Sequence, residues 1–128
     1  MKRQTITALT VTVIAASLAW AEETNAIKDA MKYAHKAPQG EKKINEKIVD
    51  GTATDEEVTK TLTLYKAIGD TKPPKGDPAA FKDKMARLIA ATEEVAAKKP
   101  DGPAHYKEAV NCKACHSEHK MAPPAPAK

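Results

Sequence analysis

Aromatic side chains are scarce in this 128-residue chain, which has one Phe, one Trp and three Tyr. Aromatics supply much of the apolar area of an ordinary core, and a domain this small buries only a limited fraction of its surface. A large apolar cofactor would supply core that the sequence lacks. Cysteine occurs twice, within four residues, so no disulfide framework staples the chain. No segment alternates with the two-residue period of a strand, and no internal repeat is evident. No apolar run reaches the roughly 20 residues of a membrane span. The charge excess is small, 21 basic against 17 acidic residues, and gives nucleic-acid binding no support.

The two cysteines stand in the run Cys112-Lys113-Ala114-Cys115-His116. This is the spacing of a covalent haem attachment site. Two thiols add across the two vinyl groups of one porphyrin, and the imidazole directly after the second thiol ligates the iron from below. On a helix, positions 112, 115 and 116 share one face. Two other chemistries use such a pair. A redox disulfide usually opens a helix after a strand, where the dipole lowers the thiol pKa; here the pair is expected inside or late in a helical stretch with no strand ahead of it. Zinc needs about four ligands. Cys112, Cys115, His116 and His119 offer themselves, but donors so close in sequence rarely make a tetrahedron.

The N-terminus supplies context. Lys2 and Arg3 form a short positive region, Ile6 to Leu18 is uncharged and rich in Ala, Val, Leu and Thr, and Ala19-Trp20-Ala21 ends it with small residues at both key positions. This pattern predicts an export signal, residues 1–21, cleaved after Ala21. Covalent haem attachment takes place on the outer face of a bacterial inner membrane, so export and the pentad support each other and imply a periplasmic protein with no membrane attachment once the signal is gone. Loss of Lys2 and Arg3 lowers the net charge from +4 to +2. The remainder divides into one domain, 22–120, and a Pro/Ala-rich tail, 121–128, expected to be disordered.

The mature chain reads as helical throughout. Thr24 or Asn25 can cap a first helix in which Ile27, Met31 and Ala34 recur at helical spacing. Pro38-Gln39-Gly40 interrupts it, yet the phase carries on to Ile44 and Ile48, so one kinked helix and two short ones are equally compatible with the pattern. Gly51 ends it either way. Thr54-Asp55-Glu56-Glu57 is a capping box, after which Val58, Leu62, Tyr65 and Ile68 face inward. The loop with Pro73-Pro74 follows, and Asp77-Pro78 opens a third helix striped by Phe81, Met85, Leu88, Thr92 and Val95. Beyond Pro100-Asp101-Gly102-Pro103, the spacing of Tyr106, Ala109 and Val110 predicts a last helix running into the pentad.

Four helical runs with short connections describe an all-α, antiparallel four-helix bundle, with the haem attached near the end of the last helix. With the pentad there, the chain resembles the class II c-type cytochromes, the four-helix cytochrome c prime family. The resemblance covers most of the mature chain, and the pentad is its one sharp motif. It implies a distal-facing residue on the first helix, Met in six-coordinate members, and Met31 occupies that place. The family tends to follow its pentad with an aromatic residue and an Arg; this chain has His119 and Lys120. His119 is read as a surface residue, three positions past His116. Pro38 breaks a helix that the family runs straight.

The expected roles follow. Cys112 and Cys115 hold one haem c, and His116 ligates its iron on the proximal side, its other ring nitrogen fixed by a hydrogen bond. The sixth position decides the activity: a thioether favours outer-sphere electron transfer, whereas an open side favours small-gas binding. Met31 is the candidate distal ligand, with core packing as its alternative. His35, one turn further on nearly the same face, is a second and weaker candidate. The principal reading is a periplasmic one-electron carrier exchanging electrons with redox partner proteins. Its alternative is a five-coordinate haem protein binding nitric oxide or carbon monoxide. A peroxidase-like enzyme would want a distal acid-base pair, for which only His35 offers itself, so the chain is read as an electron carrier and not an enzyme, with peroxidase-like activity left open. Many members of the resembled family pair through their first two helices, which makes a homodimer compatible with the reading.

Overall fold

The computed structural model describes residues 15–121, with side chains from Asn25 onward. The expected signal therefore lies mostly outside the described residues, and so does nearly all of the expected tail. Every regular element described is an α-helix: α1 (Ala15–Ala34), α2 (Ile44–Asp50), α3 (Asp55–Gly69), α4 (Pro78–Ala96), α5 (Gly102–Ala109) and α6 (Cys112–His119). None of the described helices is long and apolar enough to cross a membrane.

In the uncut chain, α1 runs through the expected cleavage point after Ala21 and starts upstream of Thr24 and Asn25. Pro38 and Gly40, whose φ is +89°, separate α1 from α2, so the choice between one kinked helix and two short ones falls to two. Gly51 ends α2 in the left-handed region, φ 72°, and Thr52 N donates back to the Lys47 carbonyl at 2.8 Å.

The capping box at Thr54 forms in both directions: Glu57 N donates to Thr54 Oγ1 at 3.2 Å and Thr54 N to Glu57 Oε2 at 2.9 Å. Asp77 takes Ala79 N and Ala80 N at 3.1 and 3.3 Å, with Pro78 as the first residue of α4. Between these starts, the expected stripes turn inward. Val58, Tyr65 and Ile68 of α3 meet Phe81 and Met85 of α4 in one apolar core that also holds Ala30 of α1, Ile48 of α2 and Tyr106 of α5. Thr61 and Thr92 are buried beside them, each hydroxyl satisfied by a carbonyl one turn back at 2.7 Å.

Helix α3 packs between α1 and α4, and α4 lies against α5. The turn into α5 brings backbones together: a Cβ on Gly102 would lie 2.9 Å from Val95 N and 3.1 Å from the Glu94 carbonyl oxygen, so this crossing is built for glycine. The core closes on protein side chains. No pentad residue belongs to it.

The last helix departs from expectation. Tyr106, Ala109 and Val110 do not lead continuously into the pentad, because Val110 leaves the helical region (ψ 67°) and Asn111 starts a new helix. The Asn111 side chain accepts from Ala114 N at 3.0 Å, an interaction that competes with helix continuation. The pentad therefore forms the first five residues of α6 instead of lying late in a long helix.

Candidate functional site

Asn111 fixes where Cys112 begins. With its side chain on Ala114 N and its carbonyl accepting from Cys115 N at 3.0 Å, it pins the first turn of α6 from both sides of the same residue. Cys112 is exposed, Cys115 half-buried and His116 exposed, and both thiols are free. Three of the five pentad residues, Cys112, Lys113 and His116, thus meet solvent.

A cysteine pair that opens a helix is the arrangement used by redox disulfides, and the expectation that this pair sits deep in a helix is corrected. The electrostatics run the other way, however. Burial pushes the Cys115 thiol above its ordinary range, with nearby Lys84 offsetting only part of the effect. Reactive thiols of that class are held low instead. Among the described residues, no three His, Cys, Asp or Glu side chains gather into a metal-holding group. His119, the donor that a zinc site would borrow, points elsewhere.

His119 is 3% exposed, not the surface residue expected. Its Nδ1 donates to the Lys75 carbonyl at 3.1 Å, its Nε2 lies 3.4 Å from Lys84 Nζ, and its ring meets Phe81 edge-on with centroids 5.2 Å apart. Since the carbonyl only accepts, Nδ1 carries a proton. The signal for this was weak in the sequence: a histidine on a polar helix, with partners distant in the chain.

His35, the residue that follows α1, turns toward the interior. Its Nε2 lies 2.8 Å from the Tyr65 hydroxyl, which in turn lies 2.8 Å from the Tyr106 hydroxyl. The two tyrosines are fully buried and their rings stack with centroids 6.5 Å apart. Burial, aided by the charges of His116 and Lys43, lowers the His35 pKa to about 4, so the ring is neutral near pH 7. Burial raises Tyr65 well above the ordinary phenol range, with the neighbouring Tyr106 adding to the effect, and burial raises Tyr106 to about 12. His35, Tyr65 and Tyr106 therefore form one hydrogen-bonded chain that runs into the core. The sequence marked Tyr65 and Tyr106 only as core positions.

Met31 is half-buried and packs against the apolar core. It belongs to the same helical face as His35, whose amide donates to the Met31 carbonyl at 3.2 Å. Of the four histidines, His35, His105 and His119 each have a ring nitrogen engaged by a neighbour. The His116 ring has no hydrogen-bond or ion-pair partner among the described residues. No family model, curated protein or solved structure matches the chain.

Proposed function

We propose that this chain is an exported class II c-type cytochrome, a periplasmic one-electron carrier with one haem c held by Cys112, Cys115 and His116. One observation carries the reading: His116, with both ring nitrogens unengaged among the described residues, directly follows two free thiols on the exposed edge of α6. The donor set fits the group. Thiols at 112 and 115 share a face with the imidazole at 116, and a flat apolar group laid on that face would cover side chains that now meet water. When bound, the haem supplies a reversible one-electron couple. The chain's own part is to fix the porphyrin through two thioethers, to present His116 to the iron and to exclude water from the apolar side. In this proposal α1, α3, α4 and the α5–α6 pair are the four members of an antiparallel bundle, with α2 as an extra turn across α5.

Met31 of α1 or, less favoured, His35, the residue that follows α1, would supply the second iron ligand. A thioether ligand from Met31 gives the electron carrier. A five-coordinate haem binding nitric oxide or carbon monoxide is favoured by a different observation, since His35 already gives its Nε2 to Tyr65 and Met31 already packs in the core.

Two measurements test this. The mature protein, made with a haem attachment machinery, should exceed the bare polypeptide mass by one haem, and Cys115→Ala should retain at most one thioether. A bare polypeptide mass overturns the haem reading. The ferrous spectrum then separates the two activities, because a low-spin six-coordinate haem gives sharp split bands and a high-spin one a broad band. Met31→Ala should convert low-spin to high-spin, lower the reduction potential and open the site to carbon monoxide. A low-spin spectrum that survives Met31→Ala and collapses on His35→Ala assigns the ligand to the histidine.

A further inference from the structure

Helix α6 lacks what ordinarily holds a short helix in place. Eight residues form a marginal helix on their own, and of these eight only His119 is buried. Cys112, Lys113, His116, Ser117 and Glu118 are exposed, and Ala114 and Cys115 are half-buried. No apolar stripe ties α6 to the core. Its N-terminal end is set by Asn111, so its direction depends on what grips the other end.

That end is gripped from two sides. The loop joining α3 and α4 offers the Lys75 carbonyl to His119 Nδ1. Gly76 follows at φ +83°, and a Cβ there would lie 2.6 Å from the Glu118 carbonyl oxygen and 2.9 Å from His119 Nδ1. Loop and helix backbone are in direct contact at a place where only glycine fits. From α4, the Phe81 ring makes a T-shaped contact with the imidazole, and Lys84 approaches Nε2 and also pairs with Glu118. Adjacent Pro73 and Pro74 stiffen the loop that carries the carbonyl.

We propose that His119 is a positioning residue: clasped by the α3–α4 loop and by α4, it fixes the pentad helix from its far end, so that Cys112, Cys115 and His116 are presented in one orientation. The arrangement leaves the pentad face uncommitted while its helix is held. What that helix carries rests on the haem reading above; the clasp rests on contacts that involve no haem.

The test uses the mature, haem-loaded protein and two substitutions on opposite sides of the contact, His119→Ala and Gly76→Ala. Amide hydrogen exchange in 112–119 should quicken roughly tenfold or more in each, while amides of 58–68 keep their protection. The double variant should add little to either single one, because both break the same contact. His119→Asn, whose side-chain amide can still donate to the Lys75 carbonyl, should restore much of the protection. The reduced pyridine haemochrome band, whose position counts thioether bonds, should move toward one bond in His119→Ala and return toward two in His119→Asn.

Unchanged exchange in 112–119 overturns the clasp, as does equal loosening of 58–68, which would make His119 an ordinary core residue. Two thioethers in every variant, with α6 loosened, overturns the positioning role. If the wild-type chain carries no haem, the functional reading fails, and exchange measured on that chain still decides the clasp.

Discussion

Helix α3 buries Val58, Thr61, Tyr65 and Ile68 along its length, whereas α6 buries a single residue, His119, at its last position. The first is held by an apolar stripe against α1 and α4. The second is held by its two ends, Asn111 and His119. A stripe resists any one change because neighbouring contacts remain, while a helix held at its ends fails wherever either end is released. The difference separates what keeps the fold from what presents the pentad.

The largest expected break of this contrast is Phe81→Ala, since Phe81 belongs to both regions: it is a core member and the ring against which His119 rests. Urea unfolding followed by circular dichroism should show a loss of about 3–5 kcal/mol. Ser117→Ala, on the exposed side of α6, should stay within about 0.5 kcal/mol. Equal losses in the two variants would erase the distinction between the regions.

Much of α3 and α4 was legible because the signals are local. A capping box needs Thr54 and Glu57 three residues apart, and Asp77-Pro78 needs only adjacency, so both starts were read correctly. The stripes obey a period that depends on one helix alone. At α6 the controlling facts are of two other kinds. Asn111 was legible in principle as a cap, but Tyr106, Ala109 and Val110 kept a helical period up to it and concealed the break. His119 was not legible, because its carbonyl partner is 44 residues away in a loop and its side chain is polar. The contacts of His35 with Tyr65, and of Tyr65 with Tyr106, span 30 and 41 residues and were equally hidden. Periodicity could mark the tyrosines as buried, and it could not say that their hydroxyls meet.

That hydroxyl chain gives the next prediction. Tyr65 is the middle member, so Tyr65→Phe leaves both the His35 ring and the Tyr106 hydroxyl without this partner. The expected cost is about 1–3 kcal/mol, read from the same urea transitions. Tyr106→Phe removes an end member and should cost less. The double variant should fall short of the sum of the two, because the lost bond between them is counted in each. Full additivity would mean that the hydroxyls do not meet. A smaller effect is expected at the start of α3, where Thr54→Ala should cost about 1 kcal/mol by freeing the Glu57 amide, with no effect on exchange in α6.

The smallest expected effect compares a buried histidine with an exposed one. His105 Nδ1 lies 2.5 Å from Glu94 Oε2 at the crossing of α5 over α4, in water. The hydrogen bond and charge of Glu94 raise the His105 pKa above the ordinary imidazole range and lower that of Glu94 below the usual carboxylate range. The two shifts bound a window. The His105 contribution is complete below the imidazole's unfolded pKa, roughly 6.5, and fades as pH rises through its raised folded value. The Glu94 contribution is complete above the unfolded carboxylate pKa, roughly 4.3, and fades as pH falls through its lowered one. The pair therefore acts most fully between those unfolded values, in mildly acid solution. Both side chains meet solvent, so added salt should weaken the effect. An NMR titration of the His105 ring should give a pKa above that of a free imidazole at low salt, and Glu94→Gln should bring it back. His35, whose pKa burial lowers to about 4, should titrate on the opposite side of the free imidazole and respond little to salt. Two histidines shifted the same way, or a His105 unmoved by Glu94→Gln, would sink the assignment of these shifts to burial in one case and to a solvent-exposed partner in the other.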